Sequence, residues 1–326
     1  MNMSVADPLW QANFAGNPDT DSNEKKHKGG TQEPFKTHWK TSYDKRLSIK
    51  YSTAQGHGPA QWISNNPPPT GWAAKQAATK IKVTLNELAT VIGQYTDAKE
   101  ATTVSLPKTS KEQISEAIYG QGATNNKFAA EKAVAADRNW ANSCASNGGK
   151  SLIGDMLCIC GNRGANAAPD CENNGLAVKW SAGIDESSGN AVLAVCPKAP
   201  DGPVTIDELT ATLNRVETGI RHIAQGTNLV LYLGTTSAGT CDGNSSRACV
   251  IYTKHFDKGR RKGVVDIPWG KKLAEARQTL QSIAKQQKTA EARVAEANQL
   301  IYDAKSAFSH SLTAPASSVK RPQDHL

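Results

Sequence analysis

The sequence predicts a mainly α fold: an elongated antiparallel coiled coil or bundle of long helices, with small disulfide-stapled lobes containing short β-strands. Three observations carry that prediction. Apolar residues recur at alternating three- and four-residue spacing over three separated stretches, the signature of helices that pack along other helices. Seven cysteines crowd into about a third of the chain. The 326 residues are 38% hydrophobic yet contain no run of eighteen apolar residues, so no transmembrane helix is expected.

The longest stripe runs through Leu273, Ala276, Leu280, Ile283, Gln287, Ala290, Val294, Ala297, Ile301, Ala304 and Phe308, with Gln287 as its polar interruption. It predicts a shaft helix over 268–308, with Asp266 able to cap it and Pro268 suited to its first turn. A second stripe of Ala74, Ala78, Ile81, Leu85, Leu88, Ile92 and Tyr95 predicts a partner helix over 72–100. Ser110-Lys111-Glu112-Gln113 has capping-box form, and the Ala-rich run Phe128 to Ala141 reads as a further helix ending near Trp140. A third stripe of Ile206, Leu209, Leu213, Val216, Ile220 and Ile223 opens on the capping box Thr205-Ile206-Asp207-Glu208 and predicts a helix over 205–225. Residues 1–70 show no sustained helical period and read as extended, loop-rich chain, anchored by Trp10, Phe14, Trp39, Tyr43, Tyr51 and Trp62.

Between the stripes lie two lobes, about 142–200 and about 227–265. Short strands are expected at 176–184, 191–196, 229–233 and 248–253. Cys144, Cys158, Cys160, Cys171, Cys196, Cys241 and Cys249 stand in Gly- and Asn-rich surroundings, which favours disulfides in an exported protein. No metal site is expected: Cys158-Ile159-Cys160 lacks the two-residue gap of zinc knuckles, and no histidine falls at ligand spacing near it. Cys241 and Cys249 bracket a turn-rich loop that a bond between them would close. Seven is odd, so one thiol is free or pairs outside this sequence. Asn2-Met3-Ser4 and Asn244-Ser245-Ser246 are glycosylation acceptors if the chain is exported, making Asn2 and Asn244 the glycan candidates.

Chemistry leaves few traces. Walker loops, nucleophile elbows, HExxH and triad-like patterns are absent, so no catalytic residue and no cofactor is expected. His222 has no ligand partner at helical spacing and reads as an ordinary histidine. The formal net charge of +8, concentrated partly at Lys258 to Lys262, attracts polyanions or suits an exposed, protease-sensitive loop. Aromatics interleaved with Lys and Arg near the start suggest single-stranded nucleic acid, but no RRM, KH or OB pattern accompanies them.

Three motifs carry a resemblance. Asn2-Met3-Ser4-Val5-Ala6-Asp7-Pro8-Leu9-Trp10 followed by Phe14, then Asp155-Met156-Leu157-Cys158-Ile159-Cys160, then Ile267-Pro268-Trp269-Gly270-Lys271-Lys272-Leu273, together resemble a variant surface glycoprotein of African trypanosomes. They are most similar to the type B N-terminal domain, apparently truncated at both ends. The resemblance implies an N-terminal domain over 1–308 and a polar tail over 309–326 leading towards a further domain. It also implies a glycoprotein at the cell surface, homodimeric, packed against neighbouring coat molecules and met by host antibodies. Such a protein shields the membrane and mediates antigenic variation; it touches the membrane only through a lipid anchor not encoded in this chain, and binds no nucleic acid. Two other readings suit the same architecture: a helical-bundle receptor for a host serum protein, and an intracellular basic coiled-coil protein that binds nucleic acid.

Overall fold

The computed structural model describes residues 12, 14, 16–20, 36–54, 71–123, 126–161, 163, 171, 176, 178–197, 202–225, 227–236, 241–243, 247–256 and 263–313. The fold is mainly α, as expected. Contacts divide the chain into two compact units, Met1–Asp97 with Thr289–Leu326, and Ala98–Lys288.

The first unit begins with a correction. Helix α1 spans Lys36–Ala54, where extended chain was expected. Among its described side chains, only Tyr43 and Leu47, one turn apart, are buried, and they pack on the buried Phe14. The Phe14 and Tyr43 rings lie 5.5 Å apart, and the Arg46 guanidinium sits 5.9 Å from the Phe14 centroid, a cation–π contact. A stripe of two residues is too short to appear as periodicity. Of the other expected anchors Tyr51 is half-buried, whereas Trp10, Trp62 and the Trp39 side chain lie outside the described residues.

Helix α2 spans Gly71–Glu100, close to expectation, but its buried face is rotated. Ala77, Ile81, Thr84 and Val91 are buried, while Ile92, assigned to the stripe, is 52% exposed. The sequence contains two overlapping heptads that share Ile81, Leu88 and Tyr95. The one carrying Ala77 and Thr84 is the buried one, although those small side chains score weakly as apolar. Hydroxyls along α2 do not disturb it: Thr79, Thr90 and Thr96 each donate to the carbonyl four residues back.

The last helix, α8, runs unbroken from Pro268 to Thr313, 46 residues. Lys271 N–H donates to Ile267 C=O at 2.8 Å, so Ile267 occupies the position flanking the helix and Asp266 lies in the 3₁₀ turn Gly263–Asp266 before it. Within the first unit, Ile81 packs against Ala304 and Phe308, flanked by Leu85 and Leu312. Ile81 of the second stripe therefore lies against Ala304 and Phe308 of the first. From Gln281 to Asp303 no α8 side chain is buried, and Val294 is 46% exposed.

In the second unit a π-helical turn, Ala101–Ser105, leads directly into α3, Leu106–Tyr119. Ser110 is consequently a buried residue inside a helix and not its cap. Gly120, at φ 100°, stops α3, where a Cβ would lie 2.1 Å from the Lys132 carbonyl oxygen. The Ala-rich run is also corrected: it forms only α4, Ala130–Ala133, and then a π-helical segment, Ala141–Ser146. Asp137 accepts from the Asn139 N–H, Asn139 accepts from the Ala141 N–H, and Arg138 takes a φ of 50°. Those local side-chain bonds offer the backbone an alternative to helix, and here it is taken.

Helix α5, Leu152–Cys160, starts on Ser151, whose hydroxyl accepts from the Gly154 N–H at 2.8 Å. Among the described residues of 176–184 only isolated bridge residues and the 3₁₀ turn Trp180–Ala182 appear, and 191–195 belongs to helix α6, Glu186–Val195, not to a strand, with Cys196 just past its end. Asp185 caps α6, accepting from Ser188 N–H, a start signal that overrides the β-branched residues following it. Helix α7, Ile206–Gly219, has the expected Thr205–Glu208 capping box but ends six residues early. Arg221–Gln225 is strand β1 and pairs antiparallel with β2, Asn228–Gly234, which pairs antiparallel with β3, Cys249–Ile251. His222 thus sits exposed on a strand, and Ile223 satisfies a strand's alternation as well as a helix's period. Both cysteine-rich stretches contribute to one core, with Cys144, Cys158 and Cys160 beside Leu157, Val250, Tyr252 and Trp269.

Phe308→Ala is expected to destabilise the first unit by about 3–5 kcal/mol, and Val294→Ala by less than about 0.5 kcal/mol. Urea unfolding of the two variants checks this; equal losses would mean the helix is not seated at Phe308.

Candidate functional site

The best-organised polar group in the protein is a single carboxylate. Asp155, in the first turn of α5, is buried in an otherwise apolar helix, Leu-Ile-Gly-Asp-Met-Leu-Cys-Ile-Cys. Its Oδ2 accepts from Tyr252 Oη at 2.6 Å and from Trp269 Nε1 at 2.7 Å, and its Oδ1 accepts from Gly149 N–H at 2.8 Å. Burial pushes its pKa up to about 6, and the three donors oppose that rise. The Tyr252 phenol is held well above its ordinary value, first by burial and then by the neighbouring carboxylate.

The chain is shaped to let these donors converge. Gly149 takes φ +93°, and a Cβ there would lie 2.6 Å from Ile267 Cγ2. A Cβ on Gly154 would lie 2.2 Å from the Ala133 carbonyl oxygen, to which Ser151 Oγ donates at 2.9 Å. Gly270 is pressed equally closely: its Cβ would come within 2.0 Å of the Val264 carbonyl oxygen. Tyr252 and Trp269 meet edge-on, with centroids 6.4 Å apart. His255, whose pKa burial lowers, places Nε2 2.9 Å from the Gly148 carbonyl oxygen. Two of the sequence motifs, Asp155 to Cys160 and Ile267 to Leu273, therefore meet at one carboxylate.

Asp155 is buried and joins three donors to one acceptor group, a structural arrangement. Among the described residues no set of three His, Cys, Asp or Glu side chains is placed to hold a metal ion. No helix among them is long and apolar enough to cross a membrane.

Disulfides fix the surrounding loops. Cys144 bonds Cys158, Cys160 bonds Cys171, and Cys241 bonds Cys249, while Cys196 is an exposed free thiol at the end of α6. The Cys241–Cys249 loop is tied to the chain after Cys160: Arg163 N–H donates to Gly243 C=O at 3.0 Å. Arg247 and Asp242 close that loop with a 2.6 Å ion pair. Asn2, Asn244 and the basic run Lys258 to Lys262 lie outside the described residues. Sequence reasoning located the cysteines but missed Asp155 as an organising group. The signal was a lone carboxylate inside an apolar helical run.

The α8–α3 contact completes the second unit. Lys272 Nζ lies 2.9 Å from Glu116 and 3.2 Å from Glu275, and Thr279 Oγ1 donates to Gln113 Oε1 at 2.9 Å. Long helices, a three-stranded sheet, three local disulfides and a buried carboxylate centre define a disulfide-stapled helical domain. The family model of the trypanosomal VSG domain matches residues 1–299. The chain belongs to that family, the variant surface glycoproteins, as an N-terminal domain. It is 27% identical over 293 residues to variant surface glycoprotein ILTAT 1.21 of Trypanosoma brucei brucei, covering 85% of this chain and 59% of that protein. To ILTAT 1.23 of the same organism it is 20% identical over 286 residues, covering 82% of this chain and 53% of that protein. The chain thus spans somewhat more than half the length of these curated relatives.

Asp155→Asn is expected to cost about 3 kcal/mol, because an amide NH₂ would face donors where an acceptor is required. The wild-type pH profile carries a second signature. The folded chain holds the Asp155 proton up to about pH 6 and the unfolded chain only to about 3.8. This group's contribution is therefore fully present below about 3.8 and lost as pH rises through about 6. Melting curves across that window should lose this component in the Asn variant; an unchanged profile would remove Asp155 from the account.

Proposed function

We propose that this chain is the exposed domain of a surface coat glycoprotein, acting by steric exclusion and without catalysis. In this reading it is a homodimer, packs beside neighbouring coat molecules on the outer face of the plasma membrane, and is held there by a lipid anchor. Residues 1–308 form the domain and 309–326 lead away from it, with Asn2 and Asn244 as its glycan carriers. The observation that carries the reading is the family match over residues 1–299. Three disulfides add support, since such bonds persist in oxidising compartments and are rare in the cytosol. They count against an intracellular nucleic-acid-binding role.

Antigenic variation is the finer part of this reading. An antibody footprint takes in roughly 20–30 residues a side. Against a coat only 27% identical, most of those contacts change. A domain whose fold rests on a few interior groups can therefore replace nearly all of its outside.

Antibodies raised against the folded chain should bind living cells that display it. Their titre should fall on the order of 100-fold on cells displaying the 27%-identical relative, since losing a few anchoring contacts removes most binding energy. Equal recognition of both coats, or no binding to living cells, would overturn the proposal.

A further inference from the structure

Beside the Asp155 centre, in the second unit, lies a recess of about 380 Å³ that neither the fold nor the coat reading uses. Ala135, Asn142, Asn147, Gly148, Lys150 and Lys254 bound it, and among the described residues no acidic side chain lines it. Lys150 Nζ donates to the carbonyl oxygens of Glu131 at 2.7 Å and Val134 at 2.5 Å. Lys254 Nζ donates to the Ser146 carbonyl oxygen at 2.7 Å. An ammonium has three N–H donors, so Lys150 keeps one in hand and Lys254 two.

Carbonyl partners aim a lysine without neutralising it. Each nearby carboxylate among the described residues has a contact of its own. Asp155 meets its three donors behind the recess, Glu131 lies 4.0 Å from Arg138, and Asp137 accepts from Asn142 Nδ2 at 3.1 Å. Burial lowers the pKa of both lysines, the direction expected of ammoniums short of water, although Glu131 and Asp155 partly offset it. Asn147 gives its Nδ2 to Asn142 Oδ1 at 2.5 Å, which leaves Asn147 Oδ1 as an acceptor at the same rim.

We propose that this recess binds a small molecule bearing one oxyanion, the anionic group bridging Lys150 and Lys254 and an adjacent hydroxyl donating to Asn147. Its volume lies near the lower end of the roughly 300–1,000 Å³ typical of ligand pockets, room for a monosaccharide-sized phosphate or carboxylate. The site stands independently of the coat assignment, since it rests only on the recess and its two cations.

Calorimetric titration of the folded full chain at low salt, with inorganic phosphate, glucose 6-phosphate and N-acetylneuraminic acid as probes, tests the site and separates a phosphate source from a carboxylate one. At least one probe should bind saturably where ionic-strength-matched chloride does not. Lys254→Gln should weaken that probe at least about tenfold, the loss of one charge-assisted contact. Lys254 is exposed and holds a single carbonyl, so this variant is expected to fold. Asn147→Ala should weaken the sugar ligands while sparing inorganic phosphate, which checks the site without removing a charge. Binding by none of the probes, equal stabilisation by chloride, or an unchanged affinity in Lys254→Gln would overturn the proposal.

Discussion

A carboxylate taken wholly out of water must be met by donors, or the chain pays with the stability of everything around it. Asp155 is met by three, each from a different part of the second unit: a loop amide at Gly149, a phenol at Tyr252 just after β3, and an indole at Trp269 in the first turn of α8. Moving any one of those segments strands a polar group in the core. Gly149, Gly154 and Gly270 are the steric counterpart of that requirement, since a side chain at any of the three would collide with the neighbour it must approach. Helix α5 is also pinned at its other end, where Trp180 Nε1 donates to the Leu157 carbonyl at 3.2 Å and Cys158 bonds Cys144. The short helices and the small sheet take their places around this group.

Helix α8 begins at that centre, and both units grip it. In the second unit the grip is both apolar, through the buried Trp269, Leu273, Ala274 and Ala276, and polar, through Lys272 between Glu116 and Glu275 and Thr279 on Gln113. In the first unit it is apolar, through Ala304 and Phe308 on Ile81. Exposed ion pairs contribute little, whereas a fully buried Phe contributes several kcal/mol on truncation. The apolar grip is therefore the stronger per residue.

Long elements were legible in the sequence, and short ones were misread for identifiable reasons. Heptads repeated over many turns left α2 and α8 unmistakable, and the Thr205–Glu208 box marked the start of α7. The buried face of α2 escaped because Ala77 and Thr84 compete poorly with Leu85 and Ile92 in any count of apolar residues. Helix α1 escaped because one Tyr–Leu pair carries all its described burial. The end of α7 escaped because Ile220 and Ile223 fit a three-residue step, while the backbone of 221–225 has a better use for its N–H and C=O groups in pairing with β2. Cysteine clustering pointed to disulfides and, of their partners, offered only Cys241 with Cys249. Asp155 lay within a motif that the sequence reading used only for resemblance, because three donors up to 114 residues away in the chain cannot be seen from its own neighbours.

The three disulfides join cysteines only 14, 11 and 8 residues apart. None of them links distant parts of the chain, so each ring closes locally. The Cys144–Cys158 ring encloses Gly149, Gly154 and Asp155, so its contents are set by the core, whereas the Cys160–Cys171 and Cys241–Cys249 rings enclose none of those groups. Each bond can form early, because closing a short loop costs little chain entropy, before the distant segments that meet at Asp155 have come together.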